Sequence, residues 1–436
     1  MKKFWQLIYT LLVSPVLVFI FFIGSFFSKQ IRQGFYPRFL TIKRLKEWLN
    51  TQEQRGKTIL FHAASYGEFE HIRPVLEVLK ENFNTVNILT FFSPSGYMNI
   101  QKTVGLDFHL YMPIDRPGNW KKIYRLLKPA MIIVAKWDVW PAQVWTAKKM
   151  NIPIFLINAS LREDSTRIKP GVRHFLNRVF CDYTGVFSVS DEDGKRLAQN
   201  FTCATLEVVG DTKYDQAVLR KKHALSRALL PEDWLDGHLI FIAGSIWPED
   251  EVHLLPALKK LLDQLEKLRL VLVPHQPDQK SVDNLEKTFL PWGVKKFSSL
   301  AGLSAERVII IDKIGFLAGL YHHAHLAYVG GSFRQGIHNV MEPAVFGIPV
   351  LFGPVHEISY EAVQLAQNNG GIVVKNEKMM FDQIKTLFEN EQQRKELGKK
   401  SENFALRNTG ATQRLIDQWQ YILSTGVDTD RRPGKY

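Results

Sequence analysis

A chain of 436 residues, 45% hydrophobic and 23% charged, is too apolar to be a disordered tail and long enough for two or three domains that each bury a core. Its two cysteines, Cys181 and Cys203, exclude a disulfide framework and a cysteine-based zinc site, and suit a reducing compartment. The 56 Lys and Arg against 43 Asp and Glu leave a formal charge of +13, which asks for an anionic partner (nucleic acid, membrane surface or phosphorylated substrate) without choosing among them.

Phe4 to Phe27 is an uncharged run of 24 residues in which Gln6, Thr10, Ser14 and Ser25 are the clearly polar members. At about 1.5 Å per residue a helix of that length reaches roughly 36 Å, enough for a bilayer core with some tilt. Lys2 and Lys3 precede it as in a signal peptide, but the run is long for one and no small-x-small cleavage site follows, so the reading is an uncleaved anchor. Pro15 predicts a kink, and with it a helix that dips into the membrane or one that spans it. The next segment sets Lys29, Arg32, Arg38, Lys43, Arg44 and Lys46 against Glu47, with Phe35, Tyr36, Phe39 and Trp48 interleaved. Positive charge beside an apolar helix favours the cytoplasmic side and anionic head groups. It reads as well as a plain topology signal as it does as a lipid-facing platform.

From residue 58 short apolar runs alternate with amphipathic ones. Thr58–His62, Asn87–Phe91, Phe108–Met112, Met131–Ala135, Ile154–Ile157, Gly185–Ser188 and Leu206–Val209 predict strands, and Glu70–Lys80 a helix. Residues 215–236 are charged, with Arg220, Lys221, Lys222, Pro231, Glu232 and Asp233, and read as a connection. The alternation restarts with strands at His238–Ala243, Leu268–Val273, Val308–Ile311, Leu326–Val329, Val350–Phe352 and Ile372–Val374, and helices at Asp250–Leu265 and Asp278–Thr288. Continuous Val/Ile/Leu strands between helices indicate parallel sheets covered on both faces. The expected fold is α/β: two facing Rossmann-like domains, ligands at the carboxyl ends of the strands, and an N-terminal membrane anchor helix. The expected division is 1–28 anchor, 29–216 first domain, 217–236 connection, 237–405 second domain and 406–436 C-terminal helix and tail.

Several constellations fall at strand ends. His62-Ala63-Ala64-Ser65-Tyr66-Gly67-Glu68 is a strand-to-helix turn, and a carboxylate at Glu68 is stabilised by the helix terminus. It is a general-base candidate or an ordinary first-turn glutamate. In Lys136-Trp137-Asp138-Val139-Trp140-Pro141, Asp138 either serves chemistry or caps the helix that Pro141 begins. Gly210-Asp211-Thr212-Lys213-Tyr214-Asp215 places Lys213 at a sheet end or in a simple turn. In the second domain Ala243-Gly244-Ser245, Pro274-His275-Gln276-Pro277 and Gly330-Gly331-Ser332 follow strands, and glycines there let backbone approach a phosphate. Gly336-Ile337-His338-Asn339 leads to Val340-Met341-Glu342-Pro343, where Glu342 on a first helical turn suits ribose hydroxyls. Neither G-x-G-x-x-G nor a phosphate-loop motif is present. His322-His323-Ala324-His325 has no cysteine or carboxylate pattern beside it and reads as structural histidines, so no metal site is expected.

Together these motifs resemble the 3-deoxy-D-manno-oct-2-ulosonic acid (Kdo) transferases of lipid A assembly, over nearly the whole chain to about residue 410. That family's H-x-x-S-x-G-E motif carries the general base and ends here at Glu68. Its T-E-L-W-P-like motif is matched by Trp137 to Pro141, and its G-N-L-K-x-D-like motif by Gly210 to Asp215. The resemblance makes Asp138 and Lys213 polar supports of the transition state. Its nucleotide contacts fall on Pro274 and His275, on Ile314, Gly315 and Phe316 of Asp312 to Phe316, on the Gly330, Gly331 and Ser332 stretch, and on Asn339, Val340, Met341 and Glu342. Three positions depart from the pattern: Asp138 for glutamate, His275 for arginine and Phe316 for glutamate.

The resemblance implies an inverting, GT-B type glycosyltransferase that moves Kdo from CMP-Kdo to a lipid A precursor (lipid IVA), with no cofactor and no metal. It implies a place at the inner membrane, the catalytic domains cytoplasmic, on a surface with anionic lipids and with no nucleic acid partner. The alternatives are a membrane glycosyltransferase using a UDP-sugar and a non-catalytic nucleotide- or lipid-binding scaffold.

Overall fold

The computed structural model describes residues 2–52, 56–100, 103–225, 228–300 and 305–424. It divides into two compact units, residues 1–216 with 409–436 and residues 217–408.

The first unit is built on strands β1 (Thr58–Ala63), β2 (Val86–Phe91), β3 (Phe108–Tyr111), β4 (Met131–Ala135), β5 (Ile154–Ala159), β6 (Gly185–Ser188) and β7 (Leu206–Val208). They form one sheet in the order β3-β2-β1-β4-β5-β6-β7, and every pairing is parallel. Every residue of β1, β2, β4 and β5 is buried, as unbroken apolar runs covered on both faces require. One face packs Trp120, Tyr124, Trp145 and Phe180. The other packs Phe69 and Ile72 of helix Tyr66–Phe83 with Leu415 and Trp419 of helix Ala411–Ser424. The C-terminal helix thus completes the first unit. Asp215 holds its start, accepting the Gly410 and Thr412 N–H groups, each at 2.6 Å. Trp419 is fully buried, so Trp419→Ala would cost about 3–5 kcal/mol.

The second unit has strands β8 (Leu239–Ile246), β9 (Leu268–Pro274), β10 (Val294–Lys296), β11 (Val308–Ile310), β12 (Leu326–Val329), β13 (Val350–Phe352) and β14 (Gly371–Val373). Their order is β10-β11-β9-β8-β12-β13-β14, again parallel throughout. The short, half-buried Val-Lys-Lys strand β10 is one the sequence pattern does not announce. The stretch expected to be a connection starts inside a regular helix, Thr212–Ala224. In each sheet the strand order reverses at one point, between β1 and β4 and between β8 and β12. Such a reversal opens a crevice at the carboxyl ends of the strands, because the two neighbouring connections leave to opposite faces.

The N-terminal helix Lys2–Phe27 is long and apolar enough to cross a membrane. It includes a π-helical turn at Tyr9–Val13, just before Pro15. It packs along the first unit. Lys2 pairs with Asp182 at 2.6 Å, the Tyr9 hydroxyl donates to Asp115 at 2.7 Å, and Phe21 meets Phe92 edge-on. Its buried residues are Tyr9, Ser14 and Ser25, while Phe4, Leu7, Leu11, Leu12, Val16 and Phe19 face outward.

Candidate functional site

In the first unit the chemistry collects where the strand order reverses. β1 ends at His62 and Ala63, and Glu68 lies on the first turn of helix Tyr66–Phe83. The Glu68 carboxylate accepts the Ala64 N–H, which folds it back over the turn. Burial raises the proton affinity of Glu68; the Ala64 bond opposes that, Asp138 adds to it, and His62 and Lys136 work against it. The result is a carboxylate that takes a proton more readily than an exposed glutamate, which is what a general base requires.

β4 delivers Lys136, whose φ of 55° turns the chain sharply. That left-handed conformation is costly for a side chain with a Cβ and is found where the surroundings enforce it. The turn returns Asp138 to β1, where its Oδ2 lies 2.6 Å from Nε2 of the fully buried His62. His62 Nδ1 lies 2.9 Å from Thr90 Oγ1, which itself is 3.1 Å from the Phe61 carbonyl. Thr90 has one proton, to give either to Phe61 or to His62. In both cases a hydrogen must lie between His62 Nε2 and Asp138 Oδ2.

Asp138 makes no cap for helix Pro141–Lys149, contrary to the structural alternative for that residue; the N-cap position, Trp140, has no side-chain bond. The carboxylate of Asp115 takes over. Its Oδ2 accepts Ala142 N–H at 3.0 Å and the Tyr9 hydroxyl at 2.7 Å; its Oδ1 accepts Gln143 N–H at 3.1 Å and Trp120 Nε1–H at 2.6 Å.

Lys213 stands on the first turn of helix Thr212–Ala224, its Nζ 3.5 Å from Asp211 Oδ2. Asp211 Oδ1 also lies 2.9 Å from Nδ1 of His71 and accepts the Lys213 N–H at 3.0 Å. Burial alone would raise the proton affinity of Asp211, but the His71 hydrogen bond and charge, with Lys213, hold it well below the usual carboxylate range. His71 is one helical turn beyond Glu68 on the same helix. Glu68, His62 and Asp138 therefore gather at one strand end, and Lys213 joins Asp211 and His71.

In the second unit β8 ends with a register shift between Ala243 and Ile246, and Ser245 has φ 54°. Gly330 and Gly331 follow β12. A Cβ on Gly330 would stand 2.8 Å from Asp250 Oδ2, and Gly331 has φ 83°. Only glycine fits this approach. The Gly330 N–H donates to Gly244 O at 2.9 Å and the Gly331 N–H to Asp250 Oδ2 at 2.7 Å. Fully buried Ser332 donates to Val329 O at 3.1 Å and accepts the Gly353 N–H at 2.6 Å. The N–H groups of Gly330 and Gly331 are thus engaged inside the unit, and the close packing there requires glycine. Buried Asp250 organises the loop; it also accepts from the Trp247 N–H at 2.8 Å and the Tyr328 hydroxyl at 2.7 Å.

Pro274 closes β9, and His275 follows it, stacked on Trp247 with ring centroids 4.1 Å apart. Ile314 is exposed, Gly315 has open space about it, and Phe316 packs on Phe297. Exposed Asn339 accepts the Met341 N–H at 3.0 Å and points Nδ2 at Glu342 Oε1 across 3.4 Å. Val340 and Met341 are buried. Glu342 is already ion-paired to Arg220. His322 and His325 hold backbone, at Gly319 O (2.6 Å) and Ile240 N (3.1 Å). Among the described residues no three His, Cys, Asp or Glu side chains group as a metal site.

Sequence reading gives Asp115 and Trp247 no mention, and takes Arg220, Asp250 and His338 only as a linker charge, a helix start and a member of the Gly336 to Asn339 stretch. Only Asp250 left a signal: it stands three residues after Trp247 at a helix start, the spacing of a capping box.

A family model described as "3-Deoxy-D-manno-octulosonic-acid transferase (kdotransferase)" matches residues 33–216. The chain is 27% identical to the 3-deoxy-D-manno-octulosonic acid transferase of Haemophilus influenzae, over 97% of this chain and 100% of that one. It is 28% identical to the transferase of the same name from Aquifex aeolicus, over 75% and 84%. Among solved structures, UDP-GlcNAc 2-epimerase from Neisseria meningitidis bound to UDP-GlcNAc has a similar fold, with a TM-score of 0.57 at 14% identity, covering 84% of this chain and 100% of that one.

Proposed function

Because the chain belongs to the 3-deoxy-D-manno-octulosonic acid (Kdo) transferases, glycosyltransferases of lipopolysaccharide synthesis, we propose that it transfers Kdo from CMP-Kdo to a lipid A precursor such as lipid IVA, with inversion. The observation that carries this reading is the strand-end group of Glu68, His62 and Asp138 in the unit that the family model matches.

In the proposed reaction an acceptor hydroxyl oxygen attacks the anomeric carbon of Kdo from the face opposite the phosphate. The bond from that carbon to the phosphate oxygen breaks, and CMP leaves with the electron pair. Glu68 takes the hydroxyl proton as the new bond forms. Its burial raises its proton affinity, the direction that transfer needs, and the Ala64 N–H holds it in place. Asp138, fixed by His62, and Lys213, fixed by Asp211, order the developing charge. The nucleotide is held by the second unit: His275 stands at the donor edge of the sheet, and Glu342, with Asn339 one turn before it, serves the ribose. The proposal invokes no metal. It sets the protein on the cytoplasmic face of the inner membrane through its N-terminal helix, whose basic neighbours meet anionic lipid.

Mass spectrometry of lipid IVA incubated with the protein and freshly made CMP-Kdo tests the reading. Kdo-bearing product is expected with CMP-Kdo and not with UDP-sugars. Product from a UDP-sugar, with none from CMP-Kdo, would overturn the donor assignment.

A further inference from the structure

The donor edge of the second sheet carries three stacked rings. Trp247 lies on His275 at 4.1 Å with planes 20° apart, and His275 lies on His338 at 4.7 Å with planes 23° apart. The Trp247 and His338 planes are within 9° of parallel. The Trp247 indole Nε1–H donates to Nε2 of His338 at 2.8 Å.

An indole nitrogen can only donate, so His338 Nε2 must be unprotonated and its hydrogen must be on Nδ1. Protonating Nε2 would set two N–H groups against each other. Burial, and then the nearby His275, also lower the proton affinity of His338. His338 is half-buried and its Nδ1 is hydrogen-bonded to none of the described residues, which leaves that nitrogen to a ligand. The absent side chain of Gly331 makes room for the ring: a Cβ there would lie 3.1 Å from Cδ2 of His338. The backbone N–H groups of Gly330 and Gly331 are turned inward. Neither of those two N–H groups is open to a phosphate, whereas the Nδ1–H of His338 is.

We propose that His338 binds the phosphate of the nucleotide donor through Nδ1–H, as a neutral imidazole whose tautomer is fixed by Trp247. Trp247 is a positioning residue, and His275 holds the two ring planes in line. The inference rests on the donor reading above and goes further, because it gives a role to His338, which lies outside the Asn339 to Glu342 nucleotide contacts.

The test uses CMP as the probe, with the full chain in detergent. In calorimetric titrations His338→Asn, whose amide N–H stands where Nδ1–H stands, should keep CMP affinity within about 3-fold. His338→Gln and His338→Phe, which put no donor there, should lose about 10-fold or more, the scale of one hydrogen bond to a charged group. Nitrogen NMR of ¹⁵N-histidine-labelled protein should show His338 as the Nδ1–H tautomer. In Trp247→Phe, which keeps the stack and loses the N–H, it should become a mixture. Wild type binding CMP no better than the Gln and Phe variants do would overturn this inference alone, as would an Nε2–H tautomer in wild type. Wild type that binds no CMP would overturn the donor reading and this inference with it. Thermal melts confirm that each variant is folded.

Discussion

Asp115→Asn tests how the loop that carries Asp138 is held. The substitution keeps shape but replaces one carboxylate oxygen by an NH2 group. Each oxygen accepts from one backbone N–H of helix Pro141–Lys149 and from one side chain: Ala142 and Tyr9 on one, Gln143 and Trp120 on the other. Whichever way the amide turns, one backbone N–H meets another donor, and it is buried. The hydroxyl of Tyr9 can reverse and accept, but the indole of Trp120 cannot. The amide should therefore turn its NH2 toward Tyr9 and Ala142 and strand the Ala142 N–H. A stranded buried N–H costs about 1–3 kcal/mol, and the bonds that remain lose the help of the charge. A loss of about 3 kcal/mol should lower the melting temperature of the first unit by roughly 6–12 °C. Because the stranded group lies at the start of the helix that follows Asp138, turnover should fall more than the melt alone explains at a temperature where the variant is folded. Tyr9→Phe removes one of the four donors and strands nothing, so its effect should be smaller on both measures. A variant Asp115→Asn with wild-type melt and wild-type rate would refute the assignment of Asp115 as the anchor of that loop.

Glu68→Gln should lower transfer by roughly 10²-fold or more while CMP binding persists; near-normal turnover would remove Glu68 from the role of base. Since Glu68 holds its proton more tightly in the folded protein, folding takes up a proton above the ordinary glutamate range, and stability falls as pH rises through that window. The Gln variant cannot ionise, so its melts should lack that fall, and the wild-type rate should rise with pH over the same window. Glu342→Ala should weaken CMP binding by roughly 10- to 100-fold. Arg220→Gln should lower the melt of the second unit but weaken CMP less than Glu342→Ala does, because on the proposed reading Arg220 acts on the ribose only through Glu342; lowered melts with unchanged CMP affinity in both variants would make the ion pair an element of the fold. Deletion of Met1–Phe27 should leave two folded units, a more soluble protein and some activity in detergent, with a lower melt for the loss of Tyr9 and its neighbours; a product with no cooperative melt would make the helix part of the core.

Much of this architecture is written in local pattern. Unbroken apolar runs such as Met131–Ala135 become central strands because burial on both faces demands that composition. Val294–Lys296 escapes because a three-residue strand with two lysines carries no periodicity. The motif residues Glu68 and Asp138 were visible for similar reasons, since they end or follow long strands. Their partners were not. His62 and Asp138 are 76 residues apart, and no local rule pairs them. Asp115, in a Pro-Ile-Asp-Arg-Pro loop, looks like a turn residue until four donors converge on it. Arg220 looked like one charge among several in a linker, yet it lies on a helix and holds Glu342. Gly330 shows the reverse case: the composition predicts a close approach of backbone, and Ser245 and Asp250 stand where a Cβ would be.

The N-terminal helix has a consequence for how such an enzyme would find its substrate. It is tied to the first unit at Lys2, Tyr9 and Phe21, and its buried residues, Tyr9, Ser14 and Ser25, all carry hydroxyls. A helix held at these points does not swing on a tether, and Asp115 and Asp182 stay beside it. Its outward apolar stripe is suited instead to lying in one leaflet, half in protein and half in lipid. Search for an amphiphilic acceptor then becomes lateral diffusion in two dimensions. The rate should follow the acceptor's mole fraction in the surface and not its amount per volume, so adding inert detergent at constant acceptor should slow the reaction by surface dilution.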